Sequence, residues 1–154
     1  FSEWFHPTIY EMTRTEDFVS DPKWIAEKLL TKIRPEQARK SLQLLEALNL
    51  IKFDANKGRH VPTDSFVTTG DEVSSVAVVR YHQRLIEMGK ESITRIAEEE
   101  RDISAITVCV SPEVAEKMKE EIRFFRKRMM ALAEEAENLE AVYQLNIQLF
   151  PLTK

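Results

Sequence analysis

The candidate functional side chains of this sequence are basic and amide groups between positions 28 and 59. Eight Lys or Arg residues lie in this stretch against three acidic residues, a local net charge of +5. Such a cluster attracts phosphate backbones, and Arg or Gln side chains that reach a base edge add sequence preference. The stretch therefore suggests DNA binding, with these candidate contacts: Arg34, Gln37, Arg39, Lys40, Gln43, Lys57 and Arg59.

Other kinds of site are not indicated. The histidines His6, His60 and His82 are far apart in the chain, and none has a second ligand at helical spacing. The single cysteine, Cys109, has no partner thiol, and three glycines do not supply a phosphate-cradling loop. The acidic run 98–100 is typical of a solvated helix face, because consecutive helical residues point in different directions. We therefore expect no enzyme, no catalytic residues, no metal and no cofactor.

The composition is that of a globular protein. The 154 residues are 43% hydrophobic and 31% charged, which is enough apolar material for one core or two small ones. No apolar run reaches the roughly 18 residues that a membrane span needs, and no secretory signal is present. A lone cysteine fits a reducing compartment, so we expect a cytoplasmic protein without a membrane partner. Because the chain begins at Phe1, we also expect a preceding segment.

Three helices are predicted in the first half of the chain. Helix one begins near Pro7, and helix two begins at Pro22 with Ser20 or Asp21 as its cap. Helix three begins at Pro35 and directs Arg39, Lys40 and Gln43 away from an apolar stripe. That stripe consists of Ala38, Leu42, Leu45 and Leu48.

A hairpin is predicted to follow helix three. The segments LIKFD and VPTDSFVTT read as strands, joined by a turn in which Gly58, or alternatively Asn56, has positive φ. Three helices and a hairpin are the order of a winged helix, in which helix three enters the major groove and the hairpin follows a phosphate track. The alternative is a solvated basic face on a protein-interaction module, which Glu36 and Glu46 near the same face favour.

The second half is predicted to hold two long helices and two strands. A helix over 71–102 precedes a β-branched strand, 103–110, and a helix with a Ser-Pro-Glu start at 111–113 precedes an alternating strand, 141–152. Strand, helix and strand form a βαβ unit, but two strands alone make a marginal sheet. We therefore expect an α+β fold, with a winged-helix domain over 1–70 and a βαβ-containing domain over 71–154 that forms a homodimer.

Several segments along the whole chain resemble a bacterial family of uncharacterised paralogues of the Fibrobacter type. They are SEWFHPTIYEM, IAEKL, ALNLI, TTGDEVSSVAVVRYHQRLIEMGKESI, RDISAITVCVS and VYQLNIQLFPLTK. The resemblance implies the C-terminal region of a transcription regulator, preceded by a segment like a repressor helix-turn-helix, and it implies no catalytic residues.

Two functions are therefore expected from the sequence. The first is a transcriptional regulator with a DNA-binding or DNA-associated winged helix and a C-terminal domain for dimerisation or sensing. The second is a protein-interaction scaffold whose winged helix does not bind DNA.

Overall fold

The structure is a computed structural model that describes residues 3–63 and 76–154. The described residues have an α+β fold, as predicted. In chain order the elements are α1 (Phe5–Met12), α2 (Pro22–Lys28), α3 (Pro35–Ala47), β1 (Ile51–Asp54), β2 (Arg59–Pro62), α4 (Val76–Arg95), a short 3₁₀ helix (Glu98–Glu100) and α5 (Pro112–Glu134).

The chain divides into two units. The N-terminal unit comprises Phe1–Met88 with Asn138–Tyr143, and the C-terminal unit comprises Gly89–Glu137 with Gln144–Lys154. Every residue of the C-terminal unit is described, and none of them is buried. The hydrophobic core of the described chain therefore lies in the N-terminal unit.

Proline and a polar cap fix the starts of the helices. The Asp21 side chain accepts a hydrogen bond from the Lys23 N–H at 3.3 Å, and Pro22 occupies the first position of α2. Pro112 occupies the same position in α5, where the Ser111 hydroxyl accepts the Val114 N–H at 3.3 Å. The predicted starts of these two helices are confirmed. Helix α1 begins two residues earlier than predicted, because Phe5 already packs in the core.

One face of α3 is buried in the core of the N-terminal unit. Ala38 and Leu45 are fully buried, and Leu42 is nearly so. Leu48, which the sequence placed on the same stripe, is 51% exposed because it caps the helix instead of continuing it. Ser41 is fully buried on this face and bonds to His6 Nδ1 of α1 at 2.8 Å, so its hydroxyl is satisfied.

A left-handed residue ends α3 and directs the chain into the hairpin. Asn49 has φ 58°, and its N–H donates to the Glu46 carbonyl at 2.9 Å. The Leu50 N–H donates to the Leu45 carbonyl at 2.9 Å, and both leucines are buried. This pair of bonds is a Schellman motif, which satisfies terminal carbonyls and reverses the chain. Strand β1 therefore begins only two residues after Asn49.

The hairpin is antiparallel, with Ile51 opposite Pro62 and Asp54 opposite Arg59. Its turn is held by the Asp54 carboxylate, which accepts the N–H groups of Asn56 at 2.9 Å and Lys57 at 3.1 Å. The predicted positive φ of the turn glycine is confirmed, at 68°. The part of the predicted second strand beyond position 63 lies outside the described residues.

The long helix predicted over 71–102 ends at Arg95, and its first five residues lie outside the described part of the chain. It ends there because the backbone becomes extended at Ala97, where ψ is 144°. The Arg101 guanidinium donates to the carbonyl of Ile96 at 2.9 Å, which stabilises the end of the helix. In residues 3–63 and 76–154, no helix is long and apolar enough to span a membrane.

The predicted βαβ unit is not formed within the described chain. The ladder of β1 with β2 is the only one in the described residues, so neither 103–110 nor 141–152 pairs with a strand. The reason is that alternation specifies which face of a segment is apolar, whereas a ladder also requires a neighbouring strand. Segment 103–110 nonetheless runs without a turn or bend between Arg101 and Ser111, whose own backbones are both extended.

Replacement of Leu45 by Ala is expected to lower the free energy of unfolding by about 2–5 kcal/mol, because the side chain is fully buried in the core. Leu44 is the matched control, since its side chain is 37% exposed on the same helix and its removal empties less buried space. Urea unfolding of both variants measures the difference. Equal losses of unfolding free energy in the Leu45 and Leu44 variants would contradict the assignment of the buried face of α3.

The stability of the N-terminal unit is expected to fall as the pH is lowered from about 7 to about 5. Burial lowers the pKa of His6 from its ordinary value of 6.5, and the Glu3 carboxylate offsets this only in part. Below about pH 6.5 the unfolded chain binds a proton at this histidine more readily than the folded protein does, so a lower pH favours unfolding. Urea midpoints at pH 7.5 and 5.5 should differ less in His6→Asn, which cannot titrate. If the two midpoints differ as much in His6→Asn as in the parent chain, His6 is not the source of the pH dependence.

Candidate nucleic-acid interface

The outer face of α3 carries three of the predicted contact residues. Arg39, Lys40 and Gln43 are exposed, on the side of the helix opposite the buried stripe. Helical geometry requires this, since these side chains lie between the positions that enter the core. The structure therefore places two cations and one amide on a single outward surface.

The first turn of α3 holds the other two predicted helix contacts, and one of them is partly engaged. The Arg34 N–H donates to Gln37 Oε1 at 2.9 Å, and the Gln37 N–H donates to the Arg34 carbonyl at 2.9 Å. This reciprocal pair caps the helix, so the amide oxygen of Gln37 is already in use. The Gln37 side chain is half-buried, whereas Arg34 is exposed at the positive end of the helix dipole.

A carboxylate on the same surface reduces its positive charge. Glu36 forms an ion pair with Arg39 one turn away, and both side chains are about half exposed. Exposed pairs of this kind contribute about 0–1 kcal/mol, so a phosphate group can displace the carboxylate at little cost. Lys40 forms no ion pair with any described residue and is the least compensated cation of the helix.

The two predicted hairpin contacts differ in their surroundings. Lys57 is exposed in the turn, where its backbone N–H donates to the Asp54 carboxylate. Arg59 is half-buried, and its Nη1 donates to the carbonyls of Thr15 and Glu16, each at 2.8 Å. The carbonyl of Phe18 lies 3.5 Å from the same atom. Arg59 therefore fastens the hairpin to the connection between α1 and α2, a structural role that sequence reasoning missed.

Two further cations of the basic stretch also make internal contacts. The Lys28 ammonium pairs with Asp17 at 3.0 Å and holds the pKa of that carboxyl below its ordinary value. It also lies 5.5 Å from the centre of the Trp24 ring. Lys32 donates to the carbonyls of Glu27 and Leu29, at 3.2 and 3.1 Å, near the C-terminal end of α2. These cations stabilise α2 and its surroundings.

A second polar network, which the sequence did not reveal, holds the hairpin against α3. His60 Nε2 lies 2.7 Å from Glu46 Oε1, and Nδ1 lies 2.9 Å from Ser20 Oγ. The Ser20 hydroxyl also accepts the backbone N–H of His60 at 2.7 Å. The His60 ring packs edge-on against Phe53 at 5.4 Å. Glu46, whose charge would disfavour DNA binding at this face, is therefore engaged with His60.

The Ser, His and Glu side chains of this network resemble the components of a hydrolase triad, but their geometry favours a structural role. The Ser20 oxygen accepts a backbone N–H, so one of its lone pairs is directed into the protein. In residues 3–63 and 76–154, no group of three or more His, Cys, Asp or Glu side chains is arranged to hold a metal ion.

Apolar side chains border the basic surface. Leu44 and Leu48 on α3 are 37% and 51% exposed, and Phe53 on β1 is 55% exposed. The spacing of the two leucines places them on one side of the helix. A surface of this composition suits contact with a protein better than contact with phosphates.

A comparison with protein families matches residues 1–152 to a family described as "Domain of unknown function (DUF4423)". Comparisons with curated proteins and with solved structures found no match.

Arg59→Ala is expected to reduce the free energy of unfolding by about 1–3 kcal/mol, because loop carbonyls lose their charged donor. Lys57→Ala removes the same charge from the turn, where the side chain is exposed, and should change stability by no more than about 0.5 kcal/mol. Chemical unfolding of both variants tests the difference. Equal effects would show that Arg59 does not hold the connection between α1 and α2.

Proposed function

The chain belongs to the DUF4423 family, a domain of unknown function, and we propose that it is a transcription regulator that binds DNA through a winged helix and acts as a homodimer. Its N-terminal unit makes the DNA contact, and its C-terminal unit dimerises. The resemblance to the Fibrobacter-type family agrees with this proposal. A regulator of this kind acts in the cytoplasm, which fits the free, exposed thiol of Cys109.

The order and packing of the elements support the winged-helix assignment. Helices α1 and α2 both contact α3, and the β1–β2 hairpin follows α3 directly. The connection between α2 and α3 covers only residues 29–34. Helix-turn-helix proteins use this order to present the outer face of their second packed helix to the major groove.

The observation that carries the proposal is the uncompensated charge on the outward face of α3. Lys40 and Gln43 are exposed there, and Arg39 forms a surface ion pair with Glu36. Arg34 at the start of the helix and Lys57 in the hairpin turn extend the set of exposed cations. Arg59 and Gln37 belong to the supporting structure, so we assign the phosphate contacts to the other basic residues.

The double variant Arg39→Ala, Lys40→Ala is expected to weaken DNA binding without loss of the fold, because both side chains point away from the core. Each lost phosphate contact should make the dependence of log affinity on log salt shallower by roughly one unit. Anisotropy titrations with duplex DNA at two salt concentrations measure the slope. Lys57→Ala should act in the same direction with a change of about one unit.

The matched control for charge is the double variant Lys90→Ala, Lys117→Ala, which removes two cations from the C-terminal unit. It should leave the salt slope unchanged. If both double variants changed the salt slope equally, DNA binding would depend on the net charge of the chain and not on the α3 surface. Unchanged affinity and slope in a folded α3 variant would contradict the proposal.

That last outcome would favour the second candidate function, a protein-interaction scaffold. The exposed side chains of Leu44, Leu48 and Phe53 support it, because they place apolar surface beside the predicted DNA contacts. In a scaffold, α3 and the hairpin would bind a protein partner, and the basic residues would form only a solvated rim. Neither candidate function uses a catalytic residue or a cofactor.

A further inference from the structure

Helix α5 has no buried residue, although all 23 of its positions are described. A helix of a globular protein normally buries an apolar stripe against another element. Ala115, Ile122 and Met129 are half-buried, so one side of α5 is partly covered by the chain itself. The side next to it remains exposed.

This exposed side, which we call the open face, is formed by residues three, four or seven positions apart along the helix. They are Val114, Glu121, Phe124, Phe125, Arg128 and Leu132. The four apolar members are from 38 to 62% exposed. Single exposed apolar residues are common on protein surfaces, whereas several on one helix face indicate a contact surface.

The open face also carries one acidic and one basic side chain. Glu121 and Arg128 are seven positions apart, which is about two helical turns, so they project from the same side. The Arg128 guanidinium lies 5.8 Å from the centre of the Phe125 ring. Neither Glu121 nor Arg128 forms an ion pair with a residue in 3–63 or 76–154. Both charges are therefore available to a partner.

We propose that the open faces of two α5 helices pack against each other in antiparallel orientation, across a two-fold axis near Phe124. Glu121 of each copy then pairs with the partner's Arg128, and Val114 contacts the partner's Leu132. The two Phe124 rings meet at the axis. The inference rests on the dimerisation that is part of the proposed function, and it adds the surface and the orientation of the two copies.

The positions of these residues along the helix fit the arrangement. At 1.5 Å per residue, Glu121 lies about 4.5 Å from an axis at Phe124, and the partner's Arg128 lies about 6 Å from it on the same side. The difference of about 1.5 Å is small compared with the length of either side chain. Val114 and the partner's Leu132 lie about 15 and 12 Å from the axis, again on the same side. Charged and apolar residues therefore each meet their own kind of partner.

Charge complementarity favours a second copy in this orientation over other partners. A parallel pair would place Glu121 beside Glu121 and Arg128 beside Arg128, and like charges at an interface are unfavourable. A uniformly acidic partner, such as DNA, would satisfy Arg128 and repel Glu121. A second antiparallel copy satisfies both charges twice, because a two-fold interface repeats each contact.

Charge reversal on the intact chain tests the pairing, with sedimentation equilibrium over a micromolar concentration series as the measurement. We expect a reversible dimer. Glu121→Arg and Arg128→Glu should each raise its dissociation constant roughly five- to thirty-fold, because two ion pairs become two contacts between like charges. The double variant Glu121→Arg, Arg128→Glu should return the constant to within about three-fold of the parent value, since the pairs form again with their signs exchanged.

Lys127→Glu is the matched control for Arg128→Glu. Lys127 is exposed on α5 but lies about 100° around the helix from Arg128, outside the open face. The same change of charge at this position should leave the dissociation constant unchanged. Circular dichroism of each variant shows whether the helices are still formed.

Disulfide cross-linking tests the orientation. The exposed thiol of Cys109 is first removed by Cys109→Ser. In that chain, Phe124→Cys should cross-link two copies, because both thiols lie at the axis. Leu132→Cys should not, because its two copies lie about 24 Å apart in the antiparallel pair. Equal cross-linking at both positions would overturn the antiparallel orientation.

The remaining outcomes separate this inference from the proposed function. A dimer whose dissociation constant is unchanged by both single reversals would overturn the α5 pairing and leave dimerisation to another surface. A double variant that keeps its helices but does not regain dimerisation would also overturn the pairing. A monomer throughout the concentration series would overturn both the pairing and the proposed homodimer. Loss of DNA binding in the titrations of the α3 variants concerns a different unit and would leave the α5 result unchanged.

Discussion

The burial of one face of α3 is the constraint on which the rest of the N-terminal unit depends. Ala38, Leu42 and Leu45 fix the rotation of the helix about its axis, and the bond between Ser41 and His6 ties it to α1. A rotation of α3 would expose apolar surface and leave a buried hydroxyl unpaired. The direction of every side chain on the outer face follows from this packing, including the cations to which we assign DNA contact.

Polar contacts extend the same constraint to the hairpin. Arg59 joins β2 to the connection between α1 and α2, and His60 joins it to Glu46 of α3. The hairpin has only two short strands, which are marginally stable alone. These side chains give it a fixed position relative to the helix, and they explain why part of the basic stretch serves structure instead of recognition.

The sequence predicted features that depend on local chemistry. The starts at Pro22 and Pro112 and the positive φ of Gly58 follow from proline and glycine geometry. The role of Arg59 was not predictable, because its acceptors are backbone carbonyls more than forty positions earlier in the chain. The predicted strand pairing in the second half was wrong for a different reason. Alternation specifies which faces are apolar, but it does not specify where the neighbouring strand is.

The position of the core along the chain has a consequence for how the protein is made. All of the clustered core residues except Leu85 lie between Trp4 and Ile51, where α3 packs against α2, β1 and the nearby α1. Contacts between residues close in sequence form quickly, and at about 5–20 residues per second a ribosome takes several seconds to add the roughly one hundred residues that follow Ile51 in this sequence. The N-terminal unit can therefore start to collapse while the chain is still being translated.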